Sequence, residues 1–333
     1  MKAQARLGLY GLILVAVFAV AGVTANAVVP QDTVQAWSET TPEDRPGAEA
    51  GDDETHSSGH AGPEAADASL GLGLAQDGYQ LTEVTAPTET SIEDELAFTV
   101  TGPNGQPVTD FELDHEQEMH LIAVRADGQH FRHVHPERDE RGIWSIPWQW
   151  QGAGSYRVFA DFVPTETGQG LTLSTTVQVA GDYVPLPANQ PVTQTSVDGF
   201  EVAVEGELVA GKASRLTMTV TQDGEPVAEL EPYLGAFGHL VALRDGDLAY
   251  LHVHPHGEAP KAGETSGPDI VFEATAPTPG RYLLYLDFQV DGQVHTAPLV
   301  LDTSPDRGTV GEDGKPGDEQ HDNEHAKGDN DDH

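Results

Sequence analysis

The chain has 333 residues, enough for two ordinary domains and their tails. It contains no cysteine, which excludes disulfides, thiolate metal sites and cysteine nucleophiles. Acidic residues number 55 against 16 basic ones, and the formal charge of −39 excludes nucleic acid and anionic membrane surfaces as partners while favouring cations.

In chain order, Lys2 and Arg6 precede an uncharged run over 7–29. Residues 1–30 therefore read as a signal anchor or transmembrane segment, since about 20 apolar residues span a bilayer. Ala25-Asn26-Ala27 offers a small-residue cleavage site. Retained or cleaved, the segment leaves its positive charges inside and exports the downstream chain. Residues 31–75 are rich in Pro, Gly, Ala, Ser, Asp and Glu and are expected to form a disordered acidic tether. His56 and His60 lie there beside Asp52, Asp53 and Glu54, either as a weak cation patch or as plain linker.

Residues 76–181 form the first expected domain. Strands are predicted at 79–84, 96–101, 108–113, 120–125, 130–135, 143–148, 155–162 and 171–179, separated by Gly-, Pro- and Asn-marked turns. Short strands at this spacing, with no helical period, point to a β-sandwich. A Pro-marked connection over 182–192 leads to a second domain at 193–303 that repeats the first. The tail, 304–333, is acidic and carries His321, His325 and His333; it is expected to be a solvated, disordered segment or a weak cation sponge. The expected fold is thus all-β, with two tandem Ig-like or cupredoxin-like sandwiches behind an N-terminal membrane or signal helix.

The repeat is clearest in HLIAVRADGQHFRHVHP (120–136) and HLVALRDGDLAYLHVHP (239–255). His120, His133 and His135 recur as His239, His252 and His254, each displaced by 119 residues. Each copy reads as a β-hairpin. With a two-residue tip at Asp127-Gly128, Ile122 pairs with His133 and His120 with His135. Opposed residues share a face, and so do alternate residues of one strand, so the three imidazoles project from one side. Their Cβ atoms fall about 5–7 Å apart, near enough to converge on one ion. Ile122, Val124 and Phe131 share that side, which makes it the expected core face. The plainer alternative is three architectural histidines beside a proline turn.

Downstream the offset grows to 126, which implies a longer loop between Pro255 and Ile270 in the second copy. Asp161 and Asp287 then occupy equivalent places late in apolar strands. A carboxylate there requires a partner. It can orient an imidazole, serve as a fourth ligand, or simply bond loop amides or an arginine. Only the first copy adds His115 and Met119 as further candidate ligands, Met119 as a soft donor for Cu(I). Leu234 and Gly238 stand at those places in the second.

The doubled pattern, MHLIAVR…HVHP…YRVFADF and GHLVALRDGDLAYLHVHP…YLLYLDFQVDG, resembles a family of actinobacterial secreted or membrane-anchored proteins often labelled heavy-metal-binding. That resemblance implies a cell-envelope protein associated with copper or another heavy metal. Two function classes are open. One is an extracytoplasmic binder of copper, or secondly zinc, that buffers the metal or delivers it, with an envelope transporter or another surface protein as partner. The other is a surface-displayed structural or interaction module. Enzymatic activity is not expected: the chain shows no nucleophile elbow, phosphate loop or dinucleotide fingerprint.

Overall fold

The computed structural model describes residues 70–304, apart from 252, 258 and 262. The expected membrane segment, nearly all of the tether and the acidic tail lie outside the described residues. Among those described, no helix is long and apolar enough to cross a membrane.

The first repeat contains β1 (Ala75–Gln76), β2 (Tyr79–Thr85), β3 (Asp94–Thr101), β4 (Phe111–Glu112), β5 (His120–Arg125), β6 (Arg132–Val134), β7 (Glu137–Arg138), β8 (Ile143–Trp148), β9 (Gly154–Pro164) and β10 (Leu171–Val179). The second contains β11 (Gln194–Val197), β12 (Phe200–Glu205), β13 (Ala213–Gln222), β14 (Glu225–Pro226), β15 (His239–Arg244), β16 (Tyr250–Leu251), β17 (Val253–Pro255), β18 (Asp269–Thr275), β19 (Arg281–Val290) and β20 (Gln293–Asp302). Each repeat is a pair of antiparallel sheets. The first has orders β1-β2-β3-β8-β7 and β10-β9-β5-β6; the second has β11-β12-β13-β18-β17 and β16-β15-β19-β20. The chain is therefore two tandem Ig-like sandwiches, as the strand spacing predicts.

Alternation builds each core. In β2, Tyr79 and Leu81 point inward; in β3, Leu96, Phe98 and Val100 do, meeting Leu121, Ala123 and Val158 of the opposite sheet. Tyr156 and Tyr282 each bend their hydroxyl back to the carbonyl four residues upstream, on Gly152 and Thr278. This is the tyrosine corner of Ig-like sandwiches.

β5 does not alternate: all six of its residues are buried. Leu121 and Ala123 face the first core. Ile122 and Val124, with Phe159, form instead a separate apolar layer with Val241, Leu243, Leu248, Leu283, Tyr285 and Val300 of the second repeat. The β5–β9 and β15–β19 sheets thus pack against each other. Phe131 stacks on Tyr285 with centroids 3.9 Å apart, and Tyr250 meets Phe159 at 5.6 Å. Phe131 and Tyr250 are equivalent in the repeat, as are Phe159 and Tyr285. The contact is therefore reciprocal, the pattern of a two-fold related pair. This corrects the expectation that the histidine-bearing face lines a sandwich interior; it lines the seam between repeats.

Two segments fasten that seam. In the connection between repeats, Leu186 donates its amide to Asp127 and Ala188 accepts from Arg281. Residues 70–73, expected to belong to the free tether, are packed instead: Leu70 accepts from the Tyr250 amide of the second repeat, while Gly71 and Gly73 accept from Ser174 of the first. Gly71 is required there, because its φ is +66° and a Cβ would stand 2.9 Å from that of Tyr250.

Candidate metal centre

β5 and β6 pair with Ile122 opposite His133 and Leu121 opposite Val134, the expected register. The tip differs from the expected two-residue turn. Gly128 donates to Arg125, and Arg125 to Gln129, enclosing a three-residue turn with Gly128 at φ +79°. His130, at φ +55°, then takes up the extra residue and restores the parity. Arg125 grips Asp127 through two hydrogen bonds of 2.8 and 2.9 Å, which fixes the tip. The Arg244–Asp247 pair repeats this at the second hairpin.

The parity brings three ring nitrogens together. His120 Nδ1 lies 3.0 Å from His133 Nε2 and 3.2 Å from His135 Nε2, and all three atoms lie within 4.8 Å of one another. An ion held tetrahedrally by nitrogens at 2.0–2.1 Å sets them about 3.3 Å apart. His120 and His133 are fastened from behind. His120 Nε2–H donates to the Asp114 carbonyl at 3.0 Å, and His133 Nδ1–H to Asp287 Oδ2 at 2.8 Å. Those partners accept only, so both nitrogens on the inner side carry lone pairs. In neutral rings, two such acceptors 3.0 Å apart repel unless a proton or a metal ion lies between them. The residues present therefore fit a metal ion.

Asp287 comes from the second repeat, so it serves the triad of the other copy rather than its own. The side chains of His133 and Asp287 are 5% and 3% exposed. Thr296 donates to the carboxylate's other oxygen. Asp161 lies opposite His120 across β5 and β9 but accepts from Thr172 at 2.9 Å and from Tyr250 at 3.4 Å. Met119 is buried in the core of the first sandwich, away from the triad, so its thioether is not positioned as a ligand.

In the second copy His239 donates Nε2–H to the Tyr233 carbonyl at 2.8 Å, as His120 does to Asp114. Here the hairpin is shorter. Only Tyr250 and Leu251 pair with β15, while β17 joins the other sheet and sets His254 opposite Glu273. His252 lies outside the described residues, and so does the side chain of His254. A cavity of about 40 Å³ remains at the seam, lined by His115, His120, His133, Asp161, His239 and Tyr250 among others. Sequence reasoning did not single out Tyr233, Tyr250 or the Thr172 and Thr296 hydroxyls. The legible signal was the unbroken apolar run of β5 and β15, which marks strands covered on both faces.

Burial holds His120, His135 and His239 neutral. It lowers His120 to about 4, with His133 beside it adding to the effect. It lowers His135 to about 3, with His133, His120 and His239 contributing. His239 falls to about 4 through burial, opposed by the Tyr233 carbonyl. An unfolded histidine takes its proton near 6.5, so between about 6.5 and 4 the unfolded chain binds protons that the folded chain refuses. The metal-free protein is therefore expected to lose stability as pH falls from 6.5 to 4. Urea unfolding at pH 7.5, 6, 5 and 4 checks this; a flat profile contradicts it.

A family model described as Domain of unknown function (DUF8832) matches residues 74–183 and again 195–305. No curated protein matches the chain. Similar solved structures include invasin, a bacterial integrin-binding protein, at 16% identity over 68% of this chain and 39% of that one, with a TM-score of 0.21. The Yersinia pseudotuberculosis adhesin InvE matches at 13% identity over 67% of this chain and 58% of that one, with a TM-score of 0.21. A protein of Corynebacterium diphtheriae described as membrane-anchored matches at 11% identity over 68% and 57%, with a TM-score of 0.20. The chain spans less than two thirds of each.

Proposed function

Matched over most of its length in two tandem segments, the chain belongs to the DUF8832 family, and we propose that it is an extracytoplasmic metal-binding protein. His120, His133 and His135 hold a copper ion, or secondly zinc, with Asp287 orienting His133. One observation carries this reading: three imidazole nitrogens converge, His120 Nδ1 standing 3.0 Å from His133 Nε2 and 3.2 Å from His135 Nε2, with two of the rings fastened from behind.

The donor set narrows the metal. Three neutral imidazoles and no thiolate suit copper and zinc, and among divalent ions copper binds such nitrogen sites more tightly. With Met119 in the core, the thioether that favours Cu(I) is missing from the set, so the divalent ion is the better fit. A cavity of about 40 Å³ has room for an ion and a few water-sized groups. The positively flanked apolar run at the N-terminus supports display outside the membrane, with the metal's donor or acceptor among envelope transporters or other surface proteins. An equivalent site at His239, His252 and His254 rests on the repeat alone.

The His133–Asp287 bond ties the two repeats, and so also favours a second reading, a surface-displayed interaction module with architectural histidines. Calorimetric titration with Cu(II) and Zn(II) separates the two. The His133→Ala variant is expected to lose the tightest binding event of the full chain. His135→Gln, whose ring makes no hydrogen bond into the second repeat among the described residues, is expected to lose it with folding intact. Unchanged uptake in both would leave the architectural reading.

A further inference from the structure

Beside the triad, the same cavity is lined by two further imidazoles, of which His115 has its Nε2 3.9 Å from Asp114 Oδ1. His239 is 7% exposed and lines the cavity. Its Nε2 is committed to Tyr233, and among the described residues its Nδ1 makes no hydrogen bond. His115 of the first repeat lies edge-on to it, with ring centroids 4.8 Å apart, while the His120 and His133 rings lie at 6.3 Å from His115 and 6.5 Å from His239. His115 is carried there by a tight turn in which Asp114 and Gln117 exchange both backbone bonds. Its φ is +44° and that of Glu116 is +65°, a conformation that favours glycine. The matching turn of the second repeat has Leu234-Gly235, so the imidazole is placed there once only. Asp161 lines the cavity too and meets only hydroxyl donors, so its charge faces no cationic side chain among the described residues.

We propose that this cavity takes a second divalent transition-metal cation, held by His115 of the first repeat and His239 of the second, with Asp161 supplying negative charge. The proposal rests on the triad being a metal site. It makes the seam a two-ion centre that neither repeat completes alone. The cavity, about 40 Å³, has room for the ion and a water or hydroxide ligand. Asp114, Asp161 and Asp287 lie around the two positions, and their carboxylates offset the repulsion between two cations. Imidazole donors select the same metals as the triad.

The test uses the full chain with His56, His60, His321, His325 and His333 replaced by Ala, so that the seam dominates tight binding. Cu(II) is titrated with calorimetry and electron paramagnetic resonance together. Two tight equivalents are expected, with the second broadening the signal of the first by dipolar coupling. His239→Ala and His115→Leu are each expected to retain one tight equivalent and lose the broadening; His115→Leu installs the residue that the second repeat carries at this turn. His133→Ala is expected to remove the triad's equivalent. One equivalent in the parent, lost with His133→Ala, would overturn the second position and leave the triad standing. No tight equivalent in the parent would overturn both. Broadening that survives both His239→Ala and His115→Leu would also overturn the assignment.

Discussion

Replacing Asp287 with Asn is expected to weaken metal binding at His120, His133 and His135 by about 10–100-fold, the usual effect of removing a carboxylate that orients a metal-bound imidazole. Asp287 lies in the second repeat and the triad in the first, so the effect crosses the seam. In the wild type the carboxylate accepts the Nδ1 proton of His133, which leaves Nε2 bare and turned toward His120. An asparagine amide oxygen still accepts, but without the charge that raises the ligand's basicity. The amide can also turn its NH₂ toward the ring and reverse the tautomer. Asp302→Asn is the control, since that carboxylate pairs with Arg281 and does not line the cavity. Competition titration against a chelator of known affinity measures both variants. Equal affinity in Asp287→Asn and wild type would remove the carboxylate from the site.

The second large effect is on the fold. Tyr285→Ala is expected to cost about 3–5 kcal/mol, as for a large aromatic removed from a packed interior. Tyr285 is 3% exposed, stacks flat on Phe131 of the other repeat and donates its hydroxyl to the Gly128 carbonyl at 2.6 Å. Burial holds its phenol well above the usual range, so it remains a neutral donor. Tyr285→Phe keeps the stack and loses only the hydroxyl bond, at about 0.5–1.5 kcal/mol. Urea denaturation of the two variants separates packing from hydrogen bonding. A cost below about 1 kcal/mol for Tyr285→Ala would mean that the repeats do not depend on this face. Because the same face carries His133 and Asp287, the alanine variant is also expected to weaken the metal site. Tyr285→Phe is not.

The amino-acid sequence by itself determined the tandem sandwiches and the convergence of His120, His133 and His135. Those come from local rules: a period of two places residues on faces, and a glycine-bearing tip sets which residues oppose. Even the tip's departure from a two-residue turn left the result intact, because the left-handed residue at His130 compensated for the one at Gly128. The partner across the face was not legible, since an apolar stripe does not say whether it meets its own sandwich or another. The unbroken burial of β5, and of β15 up to Leu243, held that information, as strands covered on both sides lose their alternation. Tertiary structure alone decided that Asp287 serves the other copy's histidine, that Met119 belongs to a core, and that His115 meets His239. Each depends on contacts between residues more than 100 positions apart, or on which of two buried faces a side chain takes. Repeat spacing encodes neither, because duplication copies residues without recording how the copies dock.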